Sequence, residues 1–325
     1  MYKLDKKDKQ ILSILDMDAR LHVTQIAKEV GLSREVVDYR IKQLEKNQTI
    51  EGYYTVINTS KLGLMYCRIF LKYKNMTVEK EKQLLEYCKK SNKVIWVTLG
   101  EGKWDFSIVV LASSLKNYEM FYDDLSLKFG MFFQNPYHSI AFEIHHFKHN
   151  FLYDKTDTKK EILNQDSKEE LGSIDISLLK LISNDARISL VNLANKMKST
   201  PKLVNYRLNK LIERKIILCF RAKINTRLLG YEYYKVFLKL ESLNKQNKEK
   251  FYTYLHLHPN VIFITKPMGV YNLEFEMMVK NANELHEIMR YLRCEFSELV
   301  IDYETILYYD TPIAMYLPPG FDAFS

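Results

Sequence analysis

The sequence predicts an α+β protein built twice over: two copies of an N-terminal winged helix-turn-helix, each followed by a ferredoxin-like βαββαβ domain. Three observations carry this. Residues 23–57 hold two short amphipathic helices around a tight turn, then an alternating Tyr-rich segment. Residues 66–147 run strand, helix, strand, strand, helix, strand. Shifting the numbering by 167 lays residues 8–112 on 175–279 without a gap, with about 25 of the 105 pairs identical. A fixed-period match that holds register through loops signals an internal duplication.

Each element has its own reason. Ile11, Leu12, Ile14 and Leu15 give a first helix over 8–20. Val23, Ile26, Ala27 and Val30 fall at i, i+3, i+4, i+7, one face of a second helix. Gly31 and Leu32 break the run, and Ser33 is a good N-cap for a third. Val37, Ile41 and Leu44 are that helix's apolar stripe; Arg34, Asp38, Arg40, Lys42 and Lys46 give it a polar, mostly basic face. Gly52 and the residues after it read as a wing. Strands are expected at 66–74, at 93–112 around a Gly-containing turn, and at 139–147; helices at about 79–90 and 114–129. Residues 154–173 are polar, mixed in charge and nearly free of aromatics, a solvated connection with some helix. The expected domains are 1–60, 61–153, the linker 154–173, 174–227 and 228–325.

Composition sets the limits. The chain has 325 residues, 47% hydrophobic and 27% charged, which suits two or more folded domains. A net charge of +8 fits a polyanionic partner without proving one. Cys67, Cys88, Cys219 and Cys294 stand far apart, as in a reduced cytoplasmic protein. No apolar run reaches membrane-spanning length. Nucleophile-elbow, P-loop, His-Glu-x-x-His and dinucleotide motifs are absent from the sequence, so neither an enzyme nor a cofactor is indicated. His145, His146 and His149 cluster, as do His256 and His258. In an extended strand His145 and His149 lie about 13 Å apart, too far to share a metal, so these are expected to be exposed strand-end histidines and no metal site is expected.

The first half opens with Leu4, Asp5 and Asp8, then DAR, IAKEVGLS, YRIKQLE, Ile-x-Gly-Tyr and the turn Gly102–Phe106. In this it resembles the Lrp/AsnC, or feast/famine, transcriptional regulators over about 4–150, and again over about 174–310. The second half departs in places: Gly31 is matched by Lys198, and Gly102-Lys-Trp-Asp105 by Gly269-Val-Tyr-Asn272. The resemblance implies double-stranded DNA as partner. It also implies an amino acid or similar small effector at the ferredoxin-like domains, which this family calls RAM, and RAM pairing within the chain or in a homo-oligomer.

The candidate DNA-reading residues are Ser33, Arg34, Glu35, Asp38, Tyr39, Lys42 and Lys46, with Thr200, Pro201, Lys202, Asn205, Tyr206 and Asn209 in the second copy. Arg34 suits a guanine edge or a phosphate, Asn205 an adenine, and Lys42 and Lys46 phosphates. The bland alternative is a head with a solvated polar face, used for protein contacts. The candidate effector residues are Gly100, Glu101, Gly102 and Asp105, with Met268, Gly269 and Asn272; the alternative there is a plain hairpin turn, Asp105 bonding its own backbone. A rival reading comes from siroheme decarboxylases, which resemble the same architecture and use the RAM pocket for a tetrapyrrole.

Overall fold

The computed structural model describes residues 4–153, 157–164, 168–241, 245–318 and 320–321. The first head is three helices. α1 (Lys6–Leu15) starts at a capping box, the Asp5 carboxylate accepting from the Asp8 N–H at 2.7 Å and the Asp8 carboxylate from the Asp5 N–H at 3.2 Å. α2 (Val23–Val30) ends at Gly31, whose φ of +66° turns the chain into α3 (Arg34–Lys46). The strand β1 (Ile50–Ile57) follows. The first RAM-like domain is β2 (Met65–Tyr73), α4 (Val78–Lys90), β3 (Val94–Gly102), β4 (Phe106–Ala112), α5 (Leu115–Phe129) and β5 (Phe133–Phe147). Next, β6 (Lys160–Asn164) lies in the connection between the copies. The second copy repeats the order: α6 (Ser173–Ser183), α7 (Leu190–Lys196), α8 (Pro201–Glu213), β7 (Ile217–Ile224), β8 (Glu232–Leu240), α9 (Lys245–Leu257), β9 (Val261–Met268), β10 (Leu273–Val279), α10 (Ala282–Glu295) and β11 (Val300–Ala314).

The eight RAM-like strands form one ring. Each domain has its expected order, β5-β2-β4-β3 and β11-β8-β10-β9. The fourth strand of each is 15 residues long, and its two ends have different neighbours. β5 pairs through Ala141 with β2 of its own copy, and from Ile140 to His146 with β9 of the other. β11 pairs with β8 up to Tyr308 and with β3 from Ile306 onward. The two sheets therefore close into an antiparallel barrel, with α4 and α5 packed on one half and α9 and α10 on the other. Pairing thus occurs within the chain.

Two sequence expectations need amending. The wing is not a hairpin of its own copy: β1 pairs with β7 of the other, from Ile50 opposite Ile224 to Ile57 opposite Ile217. Each copy completes the other's ribbon, which ties the heads together. The connection 154–173 is also more than a solvated link with some helix. Its β6 pairs with Glu143–Phe147 of β5 and buries Leu163. Residues 154–156 and 165–167 of it lie outside the described residues.

The C-terminal segment, for which the sequence offered no role, is a fastener. Tyr316, Leu317 and Phe321 are buried against the second head. Tyr316 stacks on Tyr54 at 6.0 Å, and the Leu317 N–H donates to the Ser183 hydroxyl at 3.1 Å. On the other side of the molecule that place is taken by charge. The Asp16 carbonyl accepts from Arg221 Nε at 2.8 Å and its carboxylate from the His149 N–H at 2.7 Å, all beneath the first head. Burial pushes the Asp16 carboxyl up, but Arg221 and His149 outweigh it and hold the acid well below the usual carboxylate range.

The turn between the second and third helices of each head needs a left-handed residue. Gly31 supplies it in the first; Lys198, at φ +49°, does so in the second at a steric cost. Lys198→Gly is expected to stabilise the protein by about 1 kcal/mol, read as a raised urea midpoint, whereas Gly31→Ala lowers it.

Candidate nucleic-acid interface and effector site

The third helix of each head is built alike. Ser33 accepts from the Val36 N–H at 3.3 Å, and Thr200 from the Leu203 N–H at 3.3 Å. Pro201 takes the first helical position, where no N–H is needed. The inner stripes, Val37, Ile41 and Leu44 against Val204, Leu208 and Leu211, are buried. What remains faces solvent: Ser33, Arg34, Glu35, Tyr39, Lys42 and Lys46 in the first head, and Thr200, Pro201, Lys202, Asn205, Tyr206 and Asn209 in the second. Tyr39 is 62% exposed and Tyr206 55%, the Lys210 ammonium lying 5.9 Å from the Tyr206 ring centre. Asp38 is half-buried and pairs with the exposed Lys42 at 2.6 Å, one helical turn on. Arg40 does not belong to this face. It bridges Asp5 at 2.7 Å and Asp8 at 2.8 Å, and Arg207 repeats the link to Asp175 at 3.5 Å.

The heads also cross-brace. Arg20 donates to the carbonyls of Ala186 and Ile188 at 2.7 and 2.9 Å, and Arg187 lies 5.1 Å from the Tyr53 ring centre. These are the arginines of the repeated Asp-Ala-Arg, whose identity in both copies was the available signal.

The effector candidates are placed differently from one another. Gly100 and Gly102 lie where β3 meets β11, at the seam between copies. A Cβ on Gly102 would sit 2.8 Å from the Thr305 carbonyl, and one on Gly100 would meet the Ile306 side chain. These glycines serve close strand approach. Glu101, between them, is exposed. Asp105 is engaged by its own domain: Lys72 Nζ at 2.7 Å and the Tyr73 N–H at 2.7 Å. Its carboxylate is therefore not available to cap a ligand ammonium. Asn272 makes a two-way bond with the Leu240 backbone, at 2.8 and 2.7 Å. Gly269 gives room to the Tyr137 hydroxyl, and Met268 is exposed. Beside these turns opens a cleft of about 500 Å³, lined by Lys72, Lys103, Trp104, Tyr137 and Tyr271 among others.

Sequence reasoning missed the interior of the barrel. Arg68 forks onto Glu274 and also reaches Ser139, and Lys235 bonds Glu274 at 2.9 Å and Glu276 at 2.7 Å. Charged residues inside the apolar strands at 66–72 and 273–279 were the visible clue. Next to them Phe70, Trp104, Phe237, Tyr271, Ile306 and Tyr308 form an aromatic-rich core.

The histidines are a further correction. His145 and His146 are buried rather than exposed, because β5 runs between β6 and β9 there. His146 meets the Tyr316 hydroxyl at 3.0 Å, and His145 stacks on His256 at 5.2 Å. Among the described residues no group of three or more His, Cys, Asp or Glu side chains is placed to hold a metal.

Two family models match: the AsnC-type helix-turn-helix domain at residues 4–45, and a winged helix-turn-helix DNA-binding domain at 171–217. The HTH-type transcriptional regulator LrpA of Pyrococcus abyssi is 36% identical over 127 residues, 39% of this chain and 86% of that protein. The chain belongs to the Lrp/AsnC family. The LrpA of Pyrococcus horikoshii is 50% identical over 60 residues, 18% of this chain and 43% of its own length. A solved structure of the siroheme decarboxylase NirDL shares the whole fold, with a TM-score of 0.64 over 98% of this chain and 96% of that one, at 12% identity. No helix among the described residues is long and apolar enough to cross a membrane.

Two outcomes are expected of this site. Asp105→Ala removes an ion pair and a backbone bond, and should lower stability by about 1–3 kcal/mol in urea unfolding. The second concerns acid. Burial pushes His146 well below its ordinary value, and burial with Lys160 beside it pushes His256 down to about 4. The unfolded chain takes up these protons near pH 6.5 and the folded one does not, so the stability present above that pH is lost as it falls toward 4. The urea midpoint should drop between pH 7 and 5, and less steeply in His256→Gln.

Proposed function

We propose that this Lrp/AsnC family chain is a sequence-specific, double-stranded-DNA-binding transcriptional regulator in which one tandem-duplicated polypeptide does the work of a dimer. The observation that carries it is the pair of exposed, side-chain-capped third helices, on heads joined by the β1–β7 ribbon. In this docking mode the N-terminal part of such a helix enters the major groove. Arg34 and Lys202 stand at that end. Lys42 and Lys46, one turn apart on the same helix, suit phosphates. The two faces differ, Ser-Arg-Glu against Thr-Pro-Lys, so the bound site is an imperfect palindrome.

An amino acid or similar effector, where one acts, belongs in the cleft beside the turns rather than on Asp105 or Asn272. Lys103 there lies over the faces of Trp104 and Tyr271, 5.4 Å from each ring centre. An anionic group reaching Lys103 would compete with Glu304, its partner at 2.8 Å, and so work on the seam between β3 and β11.

A second reading, a siroheme decarboxylase-like enzyme, is favoured by the fold shared with NirDL. Against it, the cavity inside the barrel is about 90 Å³, where drug-sized ligands occupy roughly 300–1,000 Å³. The cleft beneath the ribbon is about 480 Å³, but its His149 is already bonded to Asp16. A Soret band on adding siroheme would revive this reading.

The regulator reading is tested by selecting sites from a random genomic DNA pool at two salt concentrations. Enriched, salt-sensitive sites are expected. Arg34→Ala should cost about 1–3 kcal/mol on one half-site and Lys202→Ala should weaken the other. No enrichment at either salt counts against DNA binding, and equal losses on both half-sites count against the assigned asymmetry.

A further inference from the structure

We propose that the two halves are mutually selective: the inner face of the first RAM-like sheet accepts that of the second and rejects a copy of itself. This concerns assembly and holds whatever the heads bind.

The two halves carry different charges at equivalent positions. The repeat places Arg68 opposite Lys235 in the alignment, Ser107 opposite Glu274 and Val109 opposite Glu276. Both halves thus bring a cation to the barrel interior, but both carboxylates come from the second half. In the folded chain the account is neutral: Arg68 and Lys235 against Glu274 and Glu276. Arg68 is 4% exposed and Glu274 fully buried, so neither can turn to water. Burial pushes the Glu274 carboxyl up, but Arg68 and Lys235 outweigh it and keep it charged. A first half paired with itself would bury two guanidinium groups facing Ser107. A second half paired with itself would bury two ammonium groups among four carboxylates. An unpaired buried charge is among the costliest defects a fold can carry.

The seam beneath the heads makes the same selection independently. Asp16 of the first half bonds Arg221 of the second. Their repeat equivalents are Ser183 and Tyr54, which are uncharged and bind the C-terminal segment instead. Self-pairing of the first half would strand Asp16 against tyrosine, and self-pairing of the second would strand Arg221 against serine.

The test uses the full-length chain. Glu274→Ser with Glu276→Val gives both halves the first half's pattern, so the seam becomes that of a self-pair. Both tryptophans of the chain lie in the first half and pack on phenylalanines of the second: Trp96 with Phe263 at 6.3 Å and Trp104 with Phe237 at 4.9 Å. Trp96 emission therefore reads the seam, and Trp104, which also packs on Phe70 and Tyr137 of its own half, reads the seam together with the first half's packing. The double variant should show red-shifted emission without urea, or an emission midpoint well below wild type. Adding Arg68→Met and Lys235→Met, which removes the stranded cations, should bring back blue-shifted emission and most of the lost midpoint. Wild-type emission and midpoint in the double variant would overturn the proposal. So would a four-substitution variant no better than the double one, because the defect would then be one of volume and not of charge.

Discussion

Everything in this molecule depends on two strands being longer than their own sheets require. β5 and β11 each run 15 residues, and their far ends carry backbone donors and acceptors that their own domains cannot satisfy. An open strand edge is a liability unless something pairs with it. Each copy's overhang pairs with the second RAM-like strand of the other, β5 with β9 and β11 with β3, and the edges vanish into a ring. The enclosed interior of that ring follows from that exchange, with the helices packed outside it. The heads sit on the same plan, since β1 and β7 also find their partners across the repeat.

The local architecture was legible because it rests on short-range physics. The stripe Val37, Ile41, Leu44 and the caps at Ser33 and Thr200 are properties of single helices, and they appear where periodicity and capping chemistry put them. The repeat supplied each expectation twice. What lay hidden was which partner each polar group would meet. Asp105 is a reasonable ligand group in a Gly-flanked turn, yet Lys72 and the Tyr73 amide stand within its reach only after β2 has folded beside it. The histidines were misjudged for the same reason. An alternating strand near a domain end reads as exposed, and β6 and β9 came to lie on both of its edges from residues far away in sequence.

The departures between the copies carry as much information as the identities. Where the halves agree, as in the Asp-Ala-Arg whose arginines each lie over a ring of the other copy, Arg20 over Phe220 and Arg187 over Tyr53, they keep a contact that the pseudo-symmetry uses twice. At some positions where they differ, a contact made by one copy has no counterpart in the other. Ser107 and Glu274, Tyr54 and Arg221, Ser183 and Asp16 are three such pairs, equivalent in the repeat and different in role. Residues near an axis meet their own images in a symmetric dimer, so a charge there repels itself. A covalent repeat is free of that restriction.

The covalent join has a kinetic side as well. Two separate subunits must find each other, and the fraction paired falls on dilution. Here the ribbon β1–β7 and the barrel both close between parts of a single chain, so pairing is unimolecular and does not depend on how many copies are present. A dimer's concentration rises with the square of its subunits when they are scarce; this molecule's rises in simple proportion. Whatever its heads engage, pairing of the two halves sets no concentration threshold on their occupancy.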